Sequence, residues 1–173
     1  RAQAMQEAVP VGVGGMAAIL GMDAEGVRAG CAQAAAETGQ AVEAVNFNDP
    51  KQTVIAGTKA AVEKACELLK AAGAKRALPL PVSAPFHSSL MKPAAEKLRM
   101  ALSDVVLAVP QIPVLNNVDV AVQQDADAIR DALYRQAFGA VRWVECVQAL
   151  KGRGITHIIE CGPGKVLAGL TKR

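Results

Sequence analysis

The stretch GGMAAILGMDAEGVRAGCAQAAAETGQAVEAVNFNDPKQTVIAGTKAAVEKACELLKAAGAKRALPLPVS, residues 14–83, decides the fold. Residues 14–21 form an apolar run bounded by glycines, the pattern of a buried strand. Asp23 is placed to cap a helix that runs to about Glu37 and closes at Gly39. Residues 41–47 alternate around Glu43, and QTVIA (52–56) follows the turn residues Asn48, Asp49 and Pro50, which predicts a hairpin. From Lys59 to Ala72, Ala60, Val62, Ala65, Cys66, Leu68 and Leu69 share one broad face and the charges take the other, with Gly73 as the stop. Residues 77–82 alternate like a strand, but Pro79 and Pro81 cannot donate to a ladder and push it to a sheet edge. The resulting order, β-α-β-β-α-β, is that of a ferredoxin-like unit.

Beyond this unit the rhythm changes. Helices are expected over 89–104, 125–137, 141–151 and 165–172, and strands over 114–118 and 157–160. This alternation predicts a parallel α/β sheet. Two strands are too few for a sheet that must be covered on both faces. The remaining strands are therefore expected from sequence preceding Arg1, with the ferredoxin-like lobe inserted in a larger domain. The helix-like residues 1–9, stopped by Pro10, read as the tail of an element begun earlier. The expected organisation is residues 1–10 as the end of a large-domain helix, 11–84 as the ferredoxin-like small lobe, and 85–173 as the rest of a large α/β domain.

Composition narrows the function classes. The chain of 173 residues carries 19 Lys and Arg against 16 Asp and Glu, is 51% hydrophobic and only 3% aromatic. Its core must therefore be aliphatic and rich in alanine. That apolar content excludes disorder, and no apolar run reaches the roughly 18 residues a membrane-spanning helix needs. The net charge of +3 is spread along the chain and stacking aromatics are scarce, which argues against nucleic acid as a partner. Cys31, Cys66, Cys146 and Cys161 lack C-x-x-C spacing and read as reduced thiols, with neither a disulfide framework nor a zinc site. No metal and no cofactor is expected, and the cytoplasm is the expected compartment.

The chemistry-bearing candidates are few. Residues 12–17 (GVGGMA) loosely fit a dinucleotide fingerprint, but a strand follows where a helix is required. Residues 162–165 (GPGK) lack the earlier glycine and the Ser/Thr of a phosphate loop and read as a turn before a helix. His157, inside ITHII, reads as a structural histidine of a strand. His87 lies where a proline-rich strand ends and a helix begins, so its ring can project into a cleft as a general base. A nucleophile to partner it is missing, for no G-x-S-x-G elbow occurs. Ser89 reads as a helix cap, Ser88 merely neighbours His87, and Cys161 has no placed partner. Asn46, Asn48, Asn116 and Asn117 read most cheaply as turn and strand-end amides, and Gln136 as an exposed helix residue.

Together, residues 5–10 (MQEAVP), 14–21 (GGMAAILG), 45–57 (VNFNDPKQTVIAG), 72–93 (AGAKRALPLPVSAPFHSSLMKP), 113–119 (PVLNNVD), 128–136 (AIRDALYRQ), 141–147 (VRWVECV) and 160–173 (ECGPGKVLAGLTKR) closely resemble the bacterial malonyl-CoA:acyl carrier protein transacylase family. The likeness covers essentially the whole chain, and its ordered blocks are specific where any one alone would be weak. It extends to the acyltransferase domains of polyketide and fatty acid synthases, although RALPLPVS and GPGKVLAGLTKR favour the discrete enzyme.

The resemblance implies a hydrolase-like α/β domain with an inserted ferredoxin-like lobe. It implies transfer of a malonyl group from malonyl-CoA through a serine ester to the phosphopantetheine thiol of acyl carrier protein, in fatty acid biosynthesis. In that family the serine stands in a G-H-S-L-G elbow that would precede Arg1, so this stretch by itself is expected to be inactive. The resemblance also implies that His87 is the general base and that the Gln136 main-chain carbonyl holds its imidazole. It implies that Arg1 pairs with the malonyl carboxylate and that Asn46 lies near the cleft. Phe86 matches the F-H spelling of malonyl-selective domains. Lys75, Arg76, Lys151, Arg153, Lys165, Lys172 and Arg173 are the cations expected to meet an acidic carrier protein. The alternatives are a non-catalytic ferredoxin-like binding module derived from such an enzyme, and a Ser–His thioester hydrolase passing the acyl group to water.

Overall fold

The computed structural model describes residues 1–82 and 84–172. Ser83, in the expected small lobe, and Arg173, among the expected docking cations, lie outside the described residues.

The small lobe follows the predicted order. Strand β1 (Gly14–Leu20) leads through helix α2 (Ala24–Thr38) to the hairpin β2 (Val42–Asp49) and β3 (Gln52–Thr58), then helix α3 (Lys59–Ala71) and strand β4 (Arg76–Pro79). The four strands form one antiparallel sheet in the order β2-β3-β1-β4. β4 stands at the edge, where its proline costs the ladder nothing. Asp23 caps α2 by accepting from Gly26 N at 2.8 Å, and Gly39 closes it at φ +66°. Thr58 caps α3 through the Ala61 N–H.

Period-two alternation divides the sheet's faces. Ala17 and Ile19 of β1 and Ile55 of β3 pack with Val27, Cys31, Val62 and Leu69 of the two helices. Each fully buried Ile or Leu here contributes roughly 1.5–3 kcal/mol. The opposite face presents Met16, Val45, Val54 and Ala56, against which Leu80 and Phe86 pack. Gly14 permits that approach, because a Cβ there would lie 2.4 Å from Pro85 Cδ. The polar-looking hairpin thus has a second apolar face, and that face holds the segment carrying His87.

The remaining elements frame this segment. Helix α1 (Ala2–Glu7) packs on helix α4 (Lys92–Ser103) around Met5, Val9, Ala84, Met91 and Ala94. A 3-10 turn (Ser89–Met91) leads into α4, and α4 packs on helix α5 (Ala126–Gln136), where Tyr134 donates to Glu96 at 2.6 Å. Strands β5 (Leu115–Asn116) and β6 (Ala121–Val122) form a two-residue antiparallel pair, followed after α5 by helices α6 (Trp143–Gly152) and α7 (Val166–Leu170). Residue 141 bridges to β2 in parallel: Phe47 N donates to Val141 O at 2.9 Å and Val141 N to Val45 O at 2.7 Å.

Several expectations for the second half are corrected. The strand predicted over 114–118 shortens to residues 115–116, and residues 157–160 form no strand. No parallel sheet forms among the described residues. A parallel strand needs neighbours on both sides for its N–H and C=O groups, and among the described residues no strand stands beside 155–160, leaving Ile158 and Ile159 exposed. His157 is therefore exposed, and among the described residues its ring is bonded only to Thr156 Oγ1, at 2.8 Å. Ser89 is not a helix cap, since its N–H and hydroxyl both go to Glu43. α7 is a single short turn whose Ala168 N–H is taken by the Glu160 carboxylate at 2.9 Å.

Candidate active site

His87 occupies the left-handed region at φ +63°, a conformation that costs a non-glycine residue of order 1–3 kcal/mol and persists only where its surroundings impose it. Three anchors do so here. Fully buried Ser88 donates its hydroxyl to Pro85 O at 2.6 Å. Ser89 is held by Glu43 from β2, through its N–H at 3.2 and 3.3 Å and through its hydroxyl. The His87 ring is held by Nδ1, which lies 3.2 Å from both Gln136 O and Gly139 O.

This last contact settles the tautomer. Both partners are main-chain carbonyls and can only accept, so Nδ1 carries the proton and donates. Neutral His87 therefore leaves Nε2 with a free lone pair, the atom a general base needs. Burial lowers the His87 pKa below the ordinary histidine value; the two carbonyl contacts oppose the shift, and the nearby Arg1 charge reinforces it. The shift favours the unprotonated ring.

Gln136, the last residue of α5, joins the site twice. Its carbonyl accepts from His87, its Oε1 accepts from Arg1 Nη1 at 2.7 Å, and its Nε2 donates to Asn117 Oδ1 at 2.6 Å. Arg1 stands at the start of α1, exposed and free of any carboxylate among the described residues. It lines a cavity of about 400 Å³ with Ala2, Met5, Gln6 and Phe86. A larger cavity, about 470 Å³, lies on the small lobe between α3 and β4 and contains none of the expected site residues. The polar convergence, rather than cavity size, marks the candidate site.

Of the residues singled out in the sequence, Gln136 thus bonds to both Arg1 and His87, and Phe86 lines the same cavity as Arg1. Asn46 stands on β2, where its backbone is bridged to Val141, and no hydrogen bond links its side chain to those three. Three contributors escaped the sequence reading: the Gly139 carbonyl, Glu43 and Asn117. A main-chain acceptor leaves no mark in sequence, Glu43 looked like the polar residue of an alternating strand, and Asn117 like a turn amide. Among the described residues no cluster of His, Cys, Asp and Glu is arranged to hold a metal ion, and no helix is long and apolar enough to cross a membrane.

No protein-family model matches the chain. Individual proteins match over its whole length. It is 55% identical to the malonyl CoA-acyl carrier protein transacylase of Salmonella typhimurium across 173 residues, all of this chain and 55% of that protein. It is 48% identical to that of Bacillus subtilis, covering 54% of it. The chain thus spans about half the length of the curated relatives it matches. The crystal structure of an acyl-carrier-protein S-malonyltransferase from Burkholderia pseudomallei superposes with a TM-score of 0.96 at 70% identity, covering 99% of this chain and 55% of that one. A malonyl-transacylase in complex with its type II PKS acyl-carrier protein superposes equally well, with a TM-score of 0.96 at 54% identity, again covering 99% of this chain and 55% of that one. The small antiparallel sheet, the helices packed on it and the whole 173-residue alignment agree on one conclusion: over its full length the chain is homologous to about half of the malonyl CoA-acyl carrier protein transacylases.

Proposed function

We propose that this chain supplies the general base and the carboxylate reader of an [acyl-carrier-protein] S-malonyltransferase, whose nucleophilic serine stands outside these 173 residues. The observation that carries the reading is the His87 clamp: a half-buried neutral imidazole with Nδ1–H on two carbonyls, beside an arginine with donors to spare.

In the first half-reaction Nε2 of His87 takes the serine proton as Oγ attacks the malonyl thioester carbonyl. The tetrahedral adduct then expels the CoA thiolate, which recovers a proton from the imidazolium. In the second, the same nitrogen takes the proton of the phosphopantetheine thiol of acyl carrier protein. The sulfur displaces the serine oxygen, and the proton returns to it. The Gln136 and Gly139 carbonyls do the orienting that a carboxylate does in a Ser-His-Asp triad. They bring less negative charge than an aspartate would, so they raise the His87 pKa too little to offset its burial. Arg1 meets the malonyl carboxylate through its planar fork, and Phe86 forms the apolar wall beside it. Asn46, on β2 of the small lobe and outside the Arg1–Gln136–His87 network, is given a place near the cleft by the resemblance alone.

Residues 1–10 and 85–173 are read as parts of a large α/β domain and 11–84 as its inserted lobe. The setting is fatty acid biosynthesis in the cytoplasm. The test is transfer of a radiolabelled malonyl group from malonyl-CoA to purified holo carrier protein by the full-length enzyme containing this chain. Transfer that needs both His87 and Arg1 supports the reading. Hydrolysis to free malonate without carrier-protein labelling would favour the hydrolase, and no turnover the binding module.

A further inference from the structure

We propose that Asn117 is a positioning residue that directs the substrate-reading arginine through the side-chain amide of Gln136. This rests on the reading of Arg1 as partner of the malonyl carboxylate. A primary amide has an acceptor end and a donor end, and a guanidinium only donates. Arg1 can bond Gln136 only while Oε1 faces it, as it does at 2.7 Å. Rotated by half a turn about its terminal bond, the same amide would set N–H against N–H.

Asn117, with Oδ1 turned toward Gln136, disfavours that alternative. Its Oδ1 accepts from Gln136 Nε2 at 2.6 Å, a contact that holds only when Oε1 points the other way, toward Arg1. Asn117 is itself well fixed at its backbone. Its carbonyl accepts from Arg142 N at 2.9 Å. The adjoining Asn116 donates Nδ2 to Ala121 O at 2.9 Å and accepts from Asp119 N at 2.8 Å, closing the β5–β6 turn. Asp119 then pairs with Arg135, next to Gln136, so the turn grips the end of α5 at two consecutive residues. Arg1 spends one of its five donors on Gln136 and keeps enough to meet a carboxylate bidentately.

The arrangement also separates two duties of one residue. The Gln136 carbonyl sets the base, while its side chain, aligned by Asn117, sets the arginine. Disturbing Asn117 should therefore alter which acyl group is selected and leave the ionisation of the base in place.

The experiment measures kcat/KM for malonyl-CoA and acetyl-CoA, with pH profiles, in the full-length enzyme carrying Asn117→Ala or Asn117→Asp. In Asn117→Ala the malonyl-to-acetyl ratio is expected to fall about five- to tenfold, the size of one hydrogen bond, chiefly through KM for malonyl-CoA. Asn117→Asp keeps an acceptor in place and should stay within about threefold of wild type, and the pKa of the acidic limb should not move in the alanine variant. Equal losses for both esters, an aspartate variant no better than alanine, or a displaced pH profile in Asn117→Ala would overturn the inference. Should Asn117→Ala fail to fold, Gln136→Leu removes the same side-chain bonds and keeps the carbonyl. It should lose the same selectivity, and an unchanged ratio would overturn the proposal. A wild-type enzyme that transfers no malonyl group would instead overturn the functional reading on which this one rests.

Discussion

Replacing His87 by asparagine separates the base from the fold more cleanly than alanine does. At φ +63° an alanine methyl is strained, whereas asparagine tolerates the left-handed region. Its amide can also donate toward the Gln136 and Gly139 carbonyls that now take Nδ1–H, each 3.2 Å from that nitrogen. Its neighbours Ser88 and Ser89 keep their own bonds to Pro85 and Glu43, so the loop retains two of its three anchors. What vanishes is Nε2. A positioned general base contributes roughly 10²–10⁴-fold, so kcat/KM for malonyl transfer should fall by about that factor. The melting temperature should move only a few degrees. The assay is malonyl transfer to carrier protein by the full-length enzyme, with thermal unfolding followed on the same preparations. A folded His87→Asn enzyme retaining more than about a tenth of wild-type kcat/KM would remove His87 from the mechanism.

The same burial fixes a pH dependence: a lowered His87 pKa means that activity persists below the ordinary value of 6.5 and declines only as pH falls through the depressed one. The sign for stability is the same, because the fold favours the neutral ring; this group's contribution is complete above 6.5 and is lost on acidification, which urea titrations across pH would register. Arg1→Ala should lower kcat/KM for malonyl-CoA by about 10- to 100-fold, less than for a fully buried pair because Arg1 is exposed, while acetyl-CoA suffers much less; equal losses would make Arg1 structural. Gly14→Ala should cost about 1–3 kcal/mol in chemical denaturation, because its methyl would press on the Pro85 ring. Reversing Lys75, Arg76, Lys151 and Arg153, all exposed and outside any ion pair among the described residues, should raise the carrier-protein KM and flatten its salt dependence; an unmoved KM would exclude this set.

The ferredoxin-like lobe was legible because each of its elements carries a local signal. Asp23 and Thr58 cap their helices, Gly39 ends one, and the apolar faces repeat at the right period. The lobe also buries its own core, so local pattern and tertiary outcome agree. Residues 105–114 and 155–160 read differently. Val106, Ile112 and Ile159 have the composition of buried strands yet stand exposed, because strand formation there depends on neighbours that local sequence cannot supply. The site was only partly legible for a related reason. His87 could be suspected from its place between a strand and a helix, but Gln136 looked like any polar residue ending a helix. Its importance lies in a main-chain carbonyl and in an amide orientation, and both arise from tertiary packing. Glu43 and Asn117 join Ser89 and Gln136 across 46 and 19 residues of sequence, distances at which spacing says nothing.

The central claim is that this stretch holds the base while the acyl-carrying serine lies elsewhere in the enzyme, and peptide mapping after acylation tests it most directly. The full-length enzyme is mixed with malonyl-CoA without carrier protein, quenched in acid, digested and read by mass spectrometry. The account predicts a malonyl ester on a single serine outside the 173 residues and little or none in His87→Asn. Ser88 and Ser89, whose hydroxyls are committed to Pro85 and Glu43, and exposed Cys161 should remain unmodified. A malonyl group on any of these three, or full labelling of the His87→Asn enzyme at the wild-type rate, would contradict it.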